Sequence, residues 1–218
     1  MPPLALEVRG LTVSFGDVRT LCCVDLVVEE GEIVTLVGRN GSGKTTLLRA
    51  ICGLQEIDSG EVLVNGKEVT DISTSRRGIG MIFQQPLLMP QLDVGGNLAL
   101  GISREVPRSR VKEIIKEALH DLRLDHYERR RVDTLSGGES QRIAVMRAML
   151  AEPVFMLMDE PLVSQDRWAR QKFGVDIRTL LKRRGIAALL VTHDREEAER
   201  ISDRVVTIDS IQKQEEEE

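Results

Sequence analysis

An apolar run, Glu32-Ile33-Val34-Thr35-Leu36-Val37, leads directly into Gly38-Arg39-Asn40-Gly41-Ser42-Gly43-Lys44-Thr45, and a helical pattern follows from about Lys44 to Ile51, ended by Gly53. The spacing is G-x-x-x-x-G-K-T, which needs a strand before it and a helix after it. Glycines let the backbone curl so that successive N–H groups point inward at phosphate oxygens. The start of the following helix adds its positive dipole end. Gly38, Asn40, Gly41, Ser42, Gly43 and Thr46 are therefore assigned to a phosphate cradle. Lys44 brings a compact positive charge to the phosphates, and the Thr45 hydroxyl suits Mg²⁺, a hard cation that takes oxygen ligands. The competing reading is a glycine turn with an incidental Lys-Thr. Four fixed positions recur by chance in roughly 1% of chains this long, so the nucleotide reading prevails.

The rest of the pattern fits an α/β chain. Short strands are expected at Leu4 to Val8, Leu11 to Phe15, Val24 to Val28, Gly60 to Val64 and Ile79 to Phe83. From Leu98 to Leu150 the signals are mainly helical. Val111, Ile114, Ile115, Ala118, Leu119 and Leu122 recur at helical spacing, which predicts an amphipathic helix over Arg110 to Leu122. Gly137 to Leu150 is a second helix. The last third alternates strand 154–158, helix 167–183, strand 187–191, helix 195–201 and strand 204–208, the order of a parallel, doubly wound sheet. The expected organisation is an ATP-binding core at 1–85 and 151–210, a helical subdomain at 86–150 and an acidic tail at 211–218.

The run Val154 to Met158 delivers Asp159-Glu160 to the carboxyl end of a buried strand, where ligands of open α/β sheets bind. Asp159 is positioned to hold Mg²⁺, and Glu160 to orient or deprotonate an attacking water. The alternative is a polar strand end capping the next helix.

Composition limits the other classes. The 218 residues are 41% apolar and only 3% aromatic, so Leu, Ile, Val, Ala and Met must build the core. A net charge of −5, part of it in Glu215 to Glu218, lacks the electrostatic footprint of a nucleic-acid protein. Arg129 to Arg131 and Lys182 to Arg184 read as solvated helix ends. Cys22, Cys23 and Cys52 are odd in number and fit neither a disulfide framework nor a zinc site, which suits reduced thiols of a cytosolic protein. No signal peptide is expected. No apolar stretch approaches the ~20 residues that span a bilayer, so any membrane role is expected to run through a partner.

Leu135-Ser136-Gly137-Gly138-Glu139 sets a Ser and two glycines at a helix N-terminus, a second anion site or a plain N-cap. With Gln141-Arg142 it resembles the signature motif of ABC ATPases. The resemblance runs from Leu4 to about Asp209 and carries six motifs in order. It implies a phosphate-loop fold of ABC type, with a mostly parallel core, N-terminal antiparallel strands and a helical subdomain. It also implies a head-to-tail dimer, of two copies or with a paralogous subunit, in which Ser136, Gly137 and Gly138 of one subunit clamp the ATP held by the other. Phe15 resembles the aromatic that stacks on adenine; its rival reading is a core Phe. Gln84, with Gln85 beside it, resembles the glutamine that contacts Mg²⁺ and senses a transmembrane partner. His193 resembles the switch histidine at the γ-phosphate, and Asp166 the acid that links the two sites.

ATP and Mg²⁺ are the implied cofactors, and integral membrane permease subunits the implied partners. The expected place is the cytoplasmic face of the inner or plasma membrane, held through the permease without direct insertion. Two departures stand out. Val163-Ser164-Gln165-Asp166 replaces the usual Ser-Ala-Leu-Asp, and the regulatory β-domain of many importer subunits is not expected here. Ser75 to Met81, Asn97 to Gly101 and Val191 to Ala198 resemble importer ATPases for iron, sulfate, thiamine or polyamines. The alternatives are a lipid- or lipoprotein-moving system, or a soluble ABC ATPase acting on nucleic acid or ribosomes.

Overall fold

Parallel strands buried on both faces need near-continuous apolar runs, and three such runs form the centre of the molecule. In a computed structural model, which describes residues 3–162 and 167–212, strands β3 (Ile33–Val37), β7 (Phe155–Asp159) and β8 (Ala187–Thr192) are buried at every position. With β6 (Ile79–Ile82) and β9 (Arg204–Thr207) they make a five-stranded sheet in the order β6-β7-β8-β3-β9. The β7–β8, β8–β3 and β3–β9 pairs are parallel. Register pairs Asp159 with Val191, and Val37 with both Thr192 and Thr207. The carboxyl ends of four strands therefore finish in adjacent rows, with Gly38, Glu160 and His193 just beyond three of them.

A second sheet is antiparallel, in the order β2-β1-β4-β5, from β1 (Leu4–Phe15), β2 (Val18–Glu29), β4 (Ser59–Val64) and β5 (Lys67–Glu68). The two short strands expected at 4–8 and 11–15 are one strand. Gly10, at φ 56°, takes the kink, and its N–H donates to Asp25 Oδ1 at 2.7 Å. β2 likewise starts six residues before the expected Val24. The core cluster joins both sheets to helix α1 (Lys44–Cys52) through Leu6, Val24, Leu36, Leu47, Ile51 and Leu189, among others.

The remaining helices are α2 (Val94–Ala99), α3 (Arg108–Asp121), α4 (Gly137–Leu150), α5 (Arg167–Arg184), α6 (Arg195–Ile201) and α7 (Ile208–Ile211). Ile208 thus opens a helix and does not end the last strand. The chain falls into two units, one of Met1–Met81, Val154–Glu160 and Gly174–Glu218, the other of Ile82–Pro153 and Pro161–Phe173. Inside the second unit Asn97 is fully buried. Its Oδ1 accepts from Met89 N at 2.8 Å, and its Nδ2 donates to the carbonyls of Met89 and Asp93. There α2 runs close to α4: a Cβ on Gly101 would stand 2.1 Å from the Arg147 carbonyl oxygen. Residues 213–218, most of the expected acidic tail, lie outside the described residues.

Candidate active site

Gly43 caps α1 at φ 90° and Gly41 stands at φ 79°, left-handed conformations that glycine adopts without a Cβ penalty. Space demands glycine too. A Cβ on Gly43 would come within 2.7 Å of Leu21, and one on Gly38 within 2.9 Å of Ile208 and Ser42. The loop so formed folds back on Lys44, whose ammonium donates to the carbonyls of Gly38 (2.9 Å) and Arg39 (2.7 Å). Lys44 is only 6% exposed. Burial lowers its pKa, while Glu160 and Asp159 oppose that shift. An ammonium has three donors, so one remains for an anion.

Thr45, one residue on, donates its hydroxyl to Asp159 Oδ1 at 3.1 Å. Burial pushes the Asp159 carboxyl up; the Thr45 bond opposes this and the charge of Glu160 adds to it. The next residue turns sharply. Glu160 holds φ 45° and its N–H donates to Val191 O at 3.0 Å. Its Oε1 meets His193 Nδ1 at 3.1 Å. The Glu160 side chain is 16% exposed and that of His193 51%, so the carboxylate is largely covered while the imidazole beside it is open to solvent.

The residues fit a nucleotide with its metal. Ser42 Oγ is buried with no hydrogen-bond partner, and a buried hydroxyl left so is costly unless a ligand or water completes it. Thr45 and Asp159 offer two hard oxygen donors side by side. Among the described residues no cluster of three or more His, Cys, Asp or Glu side chains gathers to hold a metal alone. Two oxygen donors, Thr45 and Asp159, suit Mg²⁺, which keeps waters and phosphate oxygens and uses one or two protein ligands.

Lys44, Thr45, Asp159, Glu160 and His193 thus come together, with Gly38 to Gly43 as the cradle. Asn40 lies exposed in its turn and Thr46 is half-buried in the first turn of α1. Phe15 is 51% exposed at the end of β1, which removes the rival core reading. In the second unit, Gln84 and Gln85 are both exposed just past β6. Ser136 caps α4 there: its Oγ accepts from Glu139 N at 3.2 Å and Glu139 Oε2 accepts from Ser136 N at 2.7 Å. Gly137 and Gly138 form the first turn behind that cap. Tyr127 donates to Glu139 at 2.6 Å. Asp166 and the rest of Val163 to Asp166 lie outside the described residues.

Two supports were not foreseen. Arg77 is 7% exposed and donates to the carbonyls of Ile72, Ala50, Ile51 and Thr70, closing the far end of α1. Its only sequence signal was the doublet Arg76-Arg77 before Gly78. The second is Gln141, fully buried in α4, whose Nε2 donates to Phe83 O at 3.3 Å.

A strand-loop-helix phosphate cradle, with two acids at the neighbouring strand's carboxyl end, defines a nucleotide-binding core of the phosphate-loop class. The comparisons narrow that class. Residues 21–163 match the family described as ABC transporter, and the chain belongs to that family. It is 42% identical over 206 residues to the Fe(3+) ions import ATP-binding protein FbpC of Streptomyces avermitilis, covering 94% of this chain and 60% of the relative. It is 40% identical over 204 residues to the spermidine/putrescine import ATP-binding protein PotA of Bacteroides fragilis, covering 93% and 44%. The chain therefore spans about half the length of these curated relatives. Among solved structures, the ATP-binding cassette MJ0796, a dimer bound to ADP and Pi after hydrolysis, superposes with TM-score 0.81 at 28% identity over 93% of both chains. CbiO1 of Clostridium perfringens, part of the complex cbiONQ, shares the fold at TM-score 0.84 and 24% identity, covering 94% of this chain and 84% of that one.

Proposed function

We propose that this chain binds MgATP, hydrolyses it as a head-to-tail dimer and powers import of a small solute through a separate membrane permease. The observation that carries the catalytic half is the hydrogen-bonded pair of Glu160 and His193 beside the Lys44–Asp159 cradle. The names of the relatives, which describe Fe(3+) and spermidine/putrescine import, support the transport half. No helix among the described residues is long and apolar enough to cross a membrane. The working place is the cytoplasmic face of the membrane.

In this reading Lys44 and the loop N–H groups hold the phosphates, and Ser42 Oγ gains the partner it lacks. Thr45 and Asp159 hold Mg²⁺, which neutralises phosphate charge when bound. Glu160 accepts the proton of the attacking water, and His193, already hydrogen-bonded to it, steadies the carboxylate and reaches the terminal phosphate. Phe15 stacks on the base. Ser136, Gly137 and Gly138 supply donors to the partner's ATP, Asp166 links the two sites, and Gln84 reports to the permease.

Glu160→Gln keeps the shape and removes the base. Phosphate release is expected to fall at least ~100-fold, the low end for a general base, with ATP still bound. Tagged Glu160→Gln protein with ATP is expected to capture a multi-span membrane protein from solubilised host membranes. Hydrolysis near the parent rate removes Glu160 from the chemistry. Recovery of only soluble partners removes the transport role and leaves the ATPase.

A further inference from the structure

Cys22 and Cys23 sit where β2 departs from regular one-to-one pairing. β1 pairs Leu11 with Val24 and Val13 with Leu21, so these two cysteines stand against Thr12 alone. That is a bulge, and Cys23 takes a left-handed φ of 47° within it. The kink is pinned by Cys23 N donating to Thr12 Oγ1 at 3.1 Å. It leaves the two thiols on neighbouring residues of one bulge, with the Cys22 thiol pushed up by partial burial and then by Cys23. Arg19 Nη1 stands 4.0 Å from Cys22 Sγ and Thr12 Oγ1 3.9 Å from Cys23 Sγ. Both thiols are half-exposed, whereas Cys52 is buried.

Adjacent Cα atoms lie about 3.8 Å apart, short of the ~4.4–6.8 Å usual for a disulfide. A direct S–S bond is thus disfavoured, while one bridging atom between the sulfurs relieves the constraint. Once one thiol binds, the second binds intramolecularly at high effective concentration. Thiolates select soft, thiophilic centres.

The residues just before the bulge border the nucleotide loop. Leu21 and the Thr20 carbonyl, next along β2, crowd Gly43. Cys22 N donates to Gln212 Oε1 at 3.2 Å, just past α7, and Ile208 of α7 crowds Gly38. Cys22 thus adjoins Leu21 at one wall of the loop in sequence and is hydrogen-bonded to the segment past α7, whose Ile208 forms the other.

We propose that Cys22 and Cys23 form a chelating dithiol site for soft thiophilic species such as trivalent arsenicals, and that filling it weakens ATP binding at the adjoining loop. With phenylarsine oxide the step balances without redox change. Two S–H bonds and the As–O bond break, two As–S bonds form, and one water leaves with the thiol protons. The coupling rests on the nucleotide reading of the loop; the dithiol site does not, and its adduct is read without nucleotide.

The test treats the full chain with phenylarsine oxide and reads intact mass, followed by alkylation mapping of the cysteines. One arsenical per chain is expected, covering Cys22 and Cys23, reversed by a dithiol and resistant to excess monothiol. Cys22→Ser and Cys23→Ser should each abolish the monothiol-resistant adduct, and Cys52→Ser should retain it. The loaded parent should bind ATP at least about 5-fold more weakly, the lower range of coupling between sites. An adduct that a monothiol strips, or that mapping places on one cysteine, overturns the site even if a variant misfolds. A dithiol adduct with unchanged ATP affinity overturns the coupling.

Discussion

Replacing Arg77 by alanine takes a guanidinium from the closed end of α1. The last carbonyls of a helix have no partner within it, and here Ala50 and Ile51 accept from Arg77 Nη1 at 3.3 and 2.8 Å. Nε and Nη2 hold Ile72 O at 2.8 Å and Thr70 O at 2.5 Å. Bonds from a charged donor contribute roughly 1.5–3 kcal/mol each, but burial opposes the charge and lowers the Arg77 pKa. A polar recess of about 350 Å³, lined by Glu56, Thr70 and Asp71 among others, lets water take over some of the carbonyls. The net loss is then about 3 kcal/mol, near the low end for breaking a buried charged network. At ~2–4 °C per kcal/mol for a chain of this size, Tm should fall by about 10 °C. Arg77→Lys cannot span four carbonyls with one ammonium and should recover less than half. Urea unfolding followed by far-UV circular dichroism measures both. Because α1 begins at Lys44, ATP affinity should fall with stability. An alanine variant within 0.5 kcal/mol of the parent, the usual range for a surface change, would refute the argument that these carbonyls depend on Arg77.

Two further perturbations test separate parts of the fold. Asp203 accepts from Lys182, Ile33 N and Arg178 at 2.5, 2.9 and 2.7 Å. Burial raises its pKa and these partners together hold it below the ordinary value. Its stabilising effect is therefore full above the unfolded value of about 3.9 and fades as pH falls through the lower folded value. Asp203→Asn should lower the urea midpoint at pH 7, and that deficit should shrink as pH falls below about 3.9; an undiminished deficit in acid would rule out the charge as cause. Gly101→Ala drives a Cβ into the Arg147 carbonyl. Overpacking of this kind costs ~1–3 kcal/mol, and protection of α2 and α4 amides from exchange should drop, with β3 unaffected.

The sheet and the chemistry at its edge were legible because both obey simple rules. Apolar runs of strand length ended at Gly38, Asp159 and His193, and parallel pairing brings those ends together. What escaped the sequence depends on long-range contacts. Gly10 reads as a strand break, yet Asp25, fifteen residues away, holds it within β1. The first half of β2 lost its two-residue period at the cysteine bulge. Gly95 and Gly96 argue against a helix, but the Asp93 cap and the Asn97 bonds hold α2. Arg77 shows why its role was hidden: its partners come from α1 and from Thr70 and Ile72, and no local pattern announces a side chain that bonds only to carbonyls. Phe15 was ambiguous until its exposure was known.

The turn at Glu160 has a consequence for how this chain can change. A side chain at φ 45° is strained by ~1–2 kcal/mol, a strain that glycine escapes and asparagine tolerates better. Selection for heat resistance alone would favour those residues at position 160 and discard the carboxylate beside His193. If Glu160 is the base proposed above, variants evolved under heat without a demand for turnover would bind ATP without hydrolysing it. In that reading stability and turnover pull this one position in opposite directions.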